Sequence, residues 1–202
     1  MQRETPLDYV LETRAHVRVL RALAALPRGL SVSARDLARR ARVAHTTAAR
    51  VLRGLAEQRV VHTQHVGRAY LYQLNDRHVL APHIRELFES EASVRTELIK
   101  YLRAELPPRV GRAEAAFLFG SASRGDTLPG SDIDVALVAP QRSEEELERA
   151  LAALSDSVRD RFGAELNVVV GPSVRARRHR PKLWQRIEQD GVPLLRQSSQ
   201  RG

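Results

Sequence analysis

The sequence contains no cysteine, and only two of its 33 basic residues are lysine, Lys100 and Lys182. The absence of cysteine excludes disulfides and thiolate metal sites, so nothing indicates secretion. Residues 1–6 contain no apolar segment of the kind found in a secretory leader, and no apolar run approaches membrane-spanning length. We therefore expect a cytoplasmic protein without membrane contacts. The arginine bias is typical of a GC-rich genome and does not by itself indicate nucleic-acid binding.

Positive charge is distributed unevenly along the chain. Residues 1–75 carry 13 arginines against five acids, a net charge of +8. Residues 76–112 carry seven basic and six acidic groups, and residues 113–202 carry 13 of each. Nearly the whole net charge of +9 therefore belongs to the N-terminal third. A positive charge confined to one domain is typical of binding to a phosphate backbone.

The first 60 or so residues have the periodicity of helices. An apolar stripe over residues 9–26 predicts a helix that ends at Pro27. Ser33-x-x-Asp36 is a capping box, which predicts the start of a second helix. The third helix is predicted from apolar residues spaced i, i+3, i+4 and i+7. These residues are Ala48, Val51, Leu52 and Leu55.

Two β-rich runs, residues 60–64 and 70–75, are joined through residues 66–68 and predict a hairpin. Three helices followed by a hairpin resemble a winged helix-turn-helix of the bacterial ArsR or MarR type, over residues 9–75. The resemblance implies that the third helix reads the DNA major groove and that Arg68 at the wing tip contacts the double strand. Its candidate DNA-binding residues are Arg35, Arg39, His45, Thr46, Thr47, Arg50 and Arg68. The alternative is a protein-interaction winged helix with a solvated arginine face.

Residues 76–112 are predicted to form a linker, with a long helix over residues 79–106 that ends at Pro107-Pro108. Apolar residues follow alternating steps of four and three along this helix, with one miss at Glu91. They are Leu80, Ile84, Leu87, Val94, Leu98 and Tyr101. Such a stripe is either the seam of a homodimer or a surface that packs on the domains at its two ends.

The densest set of polar residues follows the linker. An apolar run over residues 115–119 ends at Gly120-Ser121, and after ten intervening residues Asp132-x-Asp134 opens a second apolar run. In a strand Asp132 and Asp134 point to the same face. Two carboxylates side by side repel each other unless a cation lies between them, and hard oxygen ligands suit Mg²⁺. A Gly-Ser turn lets backbone N–H groups and a hydroxyl approach a phosphate closely. The pattern predicts a site for a metal-bound nucleoside triphosphate.

This spacing resembles the signature of the polymerase-β-like nucleotidyltransferases, over roughly residues 113–196. Their minimal branch, which includes antitoxin-type enzymes paired with HEPN proteins, also has an arginine and a glycine at the positions of Arg124 and Gly125. The resemblance implies that Gly120, Ser121 and Arg124 bind a nucleoside triphosphate, which we expect to be ATP. It also implies that Asp132 and Asp134 hold two Mg²⁺ ions. The metals would assist attack on the α-phosphate by an acceptor hydroxyl, with release of pyrophosphate. We expect the acceptor to be a small molecule or a protein, such as a cognate toxin.

One position departs from that family. A third carboxylate is expected in the apolar segment 165–170, where this chain has Asn167. An amide cannot take a proton or neutralise a divalent ion as a carboxylate does. Glu165 lies two residues earlier, on the same face of a strand, and could substitute with a longer reach. The candidate catalytic residues are therefore Asp132, Asp134, Glu165 and Asn167.

Two functions stay open at this point. One is a DNA-binding, Mg²⁺-dependent transferase of nucleoside monophosphates, whose DNA binding serves regulation. The other is a transcriptional regulator whose nucleotidyltransferase-like domain is weak or inactive and senses nucleotide. Asn167 favours the second, and the intact Gly120-Ser121 and Asp132-x-Asp134 favour the first.

The remaining segments complete an α+β prediction. Residues 143–162 are expected to form a capped acidic helix, residues 184–188 a closing helix and residues 192–195 a short last strand. Residues 175–182 are a basic run. We expect a winged helix-turn-helix in residues 1–75, a linker helix in 76–112, a nucleotidyltransferase domain with a small mixed sheet in 113–197, and a disordered tail in 198–202.

Overall fold

A computed structural model describes residues 6–111, 113–124, 131–140, 142–171 and 182–195. The chain divides into two compact units, Met1–Ala92 and Ser93–Gly202. The tail 198–202 and most of the basic run, residues 175–181, lie outside the described residues.

Helices dominate the start of the first unit, and a hairpin follows them. The helices are α1 Pro6–Val10, α2 Arg14–Ala24, α3 Ala34–Ala41 and α4 His45–Glu57. The strands are β1 Val32–Ser33, β2 Val61–Val66 and β3 Ala69–Leu74. Side chains from all four helices and from the bases of β2 and β3 form one apolar core, which includes Leu20, Leu37, Leu52 and Leu55.

The predicted helix over residues 9–26 is interrupted. Thr13 has extended backbone angles and caps α2, because its hydroxyl accepts a hydrogen bond from the His16 N–H at 3.4 Å. The chain therefore forms α1 and α2 in place of one helix. The predicted cap of α3 is confirmed, since the Ser33 hydroxyl accepts from the Asp36 N–H at 3.2 Å.

The predicted hairpin is also confirmed. β2 and β3 pair antiparallel from Val61↔Leu74 to Val66↔Ala69, and Gly67 takes a positive φ of 60° in the turn. β1 pairs with β3 on its other side, which gives the strand order β1-β3-β2. The sequence did not predict β1, because two residues are too few to show a period.

Helix α5, Ala81–Val110, contributes side chains to both units. Ala81, Ile84 and Phe88 join the core of the first unit, and its C-terminal part joins the core of the second unit through Leu98, Leu102, Leu106 and Val110. The prediction that Pro107-Pro108 ends this helix is wrong. The last turn persists because Leu106 and Val110 are fully buried and the Gly111 N–H bonds to the Pro107 carbonyl at 3.1 Å. Within the described part of the chain, no helix is both long and apolar enough to cross a membrane.

The second unit is built on a mixed sheet. Its strands are β4 Ala115–Phe119, β5 Ile133–Val138, β6 Leu166–Val170 and β7 Val192–Leu195. The strand order is β6-β5-β4-β7, in which β5 is antiparallel to β4 and parallel to β6. The helices are the end of α5, then α6 Gly120–Arg124, α7 Glu144–Phe162 and α8 Lys182–Asp190. The small mixed sheet of the α+β prediction is therefore confirmed.

The two faces of this sheet are covered by different helices. One face packs with α5 and α7, and the other packs with α8 through Trp184 and Ile187. A Cβ built on Gly171 would overlap the Trp184 ring, so this glycine makes room for the buried tryptophan. The predicted capping box at the start of α7 is confirmed, with Ser143 and Glu146 bonding each other's backbone N–H groups.

Candidate nucleotide-binding site

The candidate site lies where three strands are in register. Asp134 on β5 is opposite Phe119, the last residue of β4, and opposite Asn167 on β6. Alternation along β5 buries Ile133 and leaves Asp134 half-buried, while Asp132 just before the strand is exposed. The topology therefore brings the Gly-Ser segment, the Asp pair and the position of the third acid to one end of the sheet.

Two features of the structure require glycine at position 120. Its φ is +72°, a conformation that costs any residue with a Cβ about 1–2 kcal/mol. A Cβ at this position would also collide with Oδ2 of Asp134 and lie 3.4 Å from its Cγ. The backbone of Gly120 thus lies directly against the Asp134 carboxylate, and the two halves of the sequence motif share one site.

Gly120 and Ser121 begin the short helix α6, where the sequence predicted a turn. Hydrogen bonds from α5 and from within α6 stabilise this helical turn. Arg95 on α5 donates to the carbonyls of Ala122 and Ser123, and the Ser123 hydroxyl donates to the Gly120 carbonyl at 2.8 Å. The predicted phosphate ligand Arg124 is the last residue of α6, and its side chain lies outside the described parts of the structure.

Asn167 is hydrogen-bonded to one member of the Asp pair, Asp134. Its side-chain amide donates to Oδ1 of Asp134 at 3.2 Å. The position predicted for a third carboxylate therefore holds a neutral donor that already uses one lone pair of Asp134. Among the described residues, no group of three or more His, Cys, Asp or Glu side chains is close enough to hold a metal ion together.

Glu165, the predicted substitute acid, forms an ion pair with a side chain of α7. Arg159 donates to both of its carboxylate oxygens at 2.6 Å. This bidentate hydrogen bonding, together with the positive charge of Arg159, holds the pKa of the Glu165 carboxyl below its usual value. A carboxylate with a lowered pKa is a weaker base, so Glu165 in this arrangement is poorly suited to take a proton from a hydroxyl.

The chemistry of the donors can be compared with the needs of Mg²⁺. This ion is held in proteins by one or two carboxylates together with substrate phosphates and water. Asp132 and Asp134, on one face at the start of β5, fit that requirement. The amide of Asn167 does not supply the additional negative charge that a second ion would need.

Sequence reasoning missed Arg95 and Arg159. Arg95 precedes its carbonyl partners by 27 and 28 residues, and no local pattern signals a contact of that separation. The contact of Arg159 with Glu165 was weakly indicated by the sequence. It lies in the last turn of α7, and the left-handed cap at Gly163 turns the chain back toward Glu165, six residues after the arginine.

The predicted DNA-binding residues lie on α3, α4 and the hairpin of the first unit. All are exposed except Thr47, which is half-buried. His45, Thr46 and Thr47 form the first turn of α4, and Arg68 is in the hairpin turn. Arg39 on α3 pairs with Asp36 at 2.8 Å, whereas the core side of α4 carries Ala48, Val51, Leu52 and Leu55, as predicted.

The second unit therefore has a mixed sheet with a Gly-Ser segment at the end of one strand and Asp-x-Asp at the start of its antiparallel neighbour. Residues 96–192 match the family model described as a nucleotidyltransferase domain. The match covers the C-terminal half of α5, the strands β4, β5 and β6, the first residue of β7, and the candidate site. It supports the transfer of a nucleotidyl group in general and a nucleoside triphosphate as the substrate. No curated protein matches the chain.

Proposed function

We propose that the second unit binds a nucleoside triphosphate with Mg²⁺ and transfers its monophosphate to a hydroxyl acceptor, and that the first unit binds double-stranded DNA. The observation that carries the first part is the packing of Gly120 against Asp134, which unites the Gly-Ser segment and the Asp pair. The family match over residues 96–192 supports the same chemistry.

In this proposal Gly120 and Ser121 bind the phosphates, and Asp132 and Asp134 hold the metal. Mg²⁺, when bound, would supply Lewis-acid stabilisation of the charge on the phosphates. The acceptor oxygen forms a bond to the α-phosphorus, and the bond from that phosphorus to the bridging oxygen breaks with release of pyrophosphate. The acceptor proton goes to water, or to Glu165 once it has separated from Arg159.

The alternative is a transcriptional regulator that binds nucleotide without turnover. The hydrogen bond from Asn167 to Asp134 and the ion pair of Glu165 with Arg159 favour it, because neither leaves a carboxylate ready to accept a proton. Nucleotide binding is common to both functions, and turnover separates them.

DNA binding rests on the charge and exposure of the first unit. Residues 1–75 carry a net charge of +8, and Arg35, Arg39, Arg50 and Arg68 are all exposed on α3, α4 or the hairpin. The order of helices, the hairpin and the strand β1 beside it fit a winged helix-turn-helix with α4 as the reading helix.

The test incubates the purified full-length protein with labelled ATP and the other nucleoside triphosphates in the presence of Mg²⁺. Binding and pyrophosphate release are measured separately, with a candidate acceptor protein or small hydroxyl compound present. Bound nucleotide with pyrophosphate release supports the transferase. Bound nucleotide without release from any triphosphate or acceptor supports the regulator, and absence of Mg²⁺-dependent binding contradicts both.

A further inference from the structure

The short helix α6 depends on groups outside itself. It spans five residues, Gly120–Arg124, and a helix of this length is not stable alone because its terminal carbonyls lack intrahelical partners. Arg95 supplies two of the missing donors. Its Nε donates to the Ala122 carbonyl at 3.2 Å, and its Nη2 donates to the Ser123 carbonyl.

These bonds are continuous with the candidate site. Ser123 is only 8% exposed, and its hydroxyl donates to the Gly120 carbonyl at 2.8 Å. Gly120 in turn lies against the Asp134 carboxylate. The guanidinium of Arg95 is therefore connected to the Asp pair through the backbone of the segment proposed to bind phosphate.

We propose that Arg95 is a positioning residue of the nucleotide site. It acts through α6, by holding the carbonyls of Ala122 and Ser123 and with them the backbone of Gly120 and Ser121, and it does not itself touch nucleotide. This inference rests on the proposed function. The planar guanidinium suits the role, since it presents two N–H groups in a fixed fork to two successive carbonyls.

The same helix provides a matched control. Arg103 on α5 donates through Nε and Nη2 to the Pro193 carbonyl, at 3.2 and 2.9 Å. Arg95→Gln and Arg103→Gln thus remove the same charge and the same kind of hydrogen bond from exposed positions on one helix, and they differ in whether the bonded carbonyl belongs to α6 or to β7.

The experiment measures the dissociation constant of labelled ATP with Mg²⁺ for the full-length protein, together with the midpoint of thermal unfolding. We expect Arg95→Gln to weaken ATP binding about tenfold and Arg103→Gln to leave it unchanged. Arg95→Lys should recover part of the affinity, because an ammonium group restores a donor but not the fork. The two glutamine variants should have similar unfolding midpoints.

Three results would overturn the proposal. Equal ATP affinity in Arg95→Gln and the wild-type protein would remove the role of Arg95 and leave the proposed function intact. Weakened binding accompanied by a far larger drop in the unfolding midpoint than in Arg103→Gln would make Arg95 a residue of general stability. Wild-type protein that binds neither labelled ATP nor any other labelled nucleoside triphosphate would contradict the proposed nucleotide site itself, and the inference with it.

Discussion

At the scale of single residues, Gly120 carries the strongest constraint in the candidate site. We predict that Gly120→Ala lowers the free energy of unfolding by about 2–4 kcal/mol, from left-handed backbone strain and from overlap with Asp134. Because the overlap displaces either the Asp134 carboxylate or the start of α6, Mg²⁺-dependent nucleotide binding should also be lost. Denaturant unfolding and binding of labelled ATP measure the two effects.

Gly163 provides the control for this substitution. It also has a positive φ, 66°, but a Cβ there would meet nothing within 4 Å. Gly163→Ala should cost only the backbone strain, about 1 kcal/mol, and leave nucleotide binding unchanged. Equal effects of the two alanines on stability and on binding would show that the contact between Gly120 and Asp134 is unimportant.

Asn167 is the residue that separates the two functions. If the domain is an enzyme limited by the missing acid, Asn167→Asp should raise transfer by about 10²-fold or more, because it adds a base and a negative charge beside Asp134. If Glu165 already performs that work, Glu165→Gln should abolish transfer and Asn167→Asp should change little. A regulator would bind nucleotide and transfer nothing in either variant. Transfer and binding assays on both variants distinguish these results.

At the scale of elements, α4 is predicted to be the helix that reads DNA. Arg50→Ala should reduce the preference for a cognate sequence, since Arg50 is exposed on α4 and would face base edges. Arg39→Ala on α3 should weaken binding to all duplexes about equally and reduce the salt slope by about one. Fluorescence anisotropy with cognate and unrelated duplexes, over a range of salt concentrations, measures both. Identical losses on all sequences for the two variants would argue against α4 as the reading helix.

Some elements could be predicted from local pattern and others could not. α4 followed from an apolar period whose residues are buried, β4 and β5 followed from apolar runs, and the hairpin followed from two β-rich runs. The caps of α3 and α7 followed from Ser33 and Ser143. The error at Pro107-Pro108 has a different origin. Local backbone chemistry predicted an end there, but burial of Leu106 and Val110 in the core of the second unit maintains the last turn.

The candidate site shows the same division. The grouping of Gly120, Asp132 and Asp134 in one site could be predicted because these residues adjoin two apolar runs that become paired strands. Contacts between side chains that are distant in sequence could not be predicted, because only tertiary packing brings them together. The sequence placed Glu165 on the face of Asn167, and the structure joins Glu165 to Arg159 of α7.

At the scale of the whole molecule, the chain combines two units with separate apolar cores. The charge of residues 1–75 is +8, whereas residues 113–202 carry equal numbers of basic and acidic groups. This division predicts that salt strongly weakens DNA binding, which depends on counterion release, and has a smaller effect on nucleotide binding at a metal site. Titrations of the full-length protein with duplex DNA and with labelled ATP, at matched salt concentrations, compare the two slopes. Equal slopes would contradict the assignment of the two ligands to differently charged parts of the chain.

The central claim is that Asp132 and Asp134 hold the metal of a bound nucleoside triphosphate. Its most direct test is equilibrium dialysis of labelled ATP, with and without Mg²⁺, against the wild-type protein, Asp132→Ala and Asp134→Ala. Asp190→Ala at the exposed end of α8 is the control acid. We predict Mg²⁺-dependent binding in the wild-type protein and in Asp190→Ala, and a loss of at least about tenfold in each of the other two variants, with the fold intact by circular dichroism. Unchanged Mg²⁺-dependent binding in both Asp132→Ala and Asp134→Ala would contradict the claim.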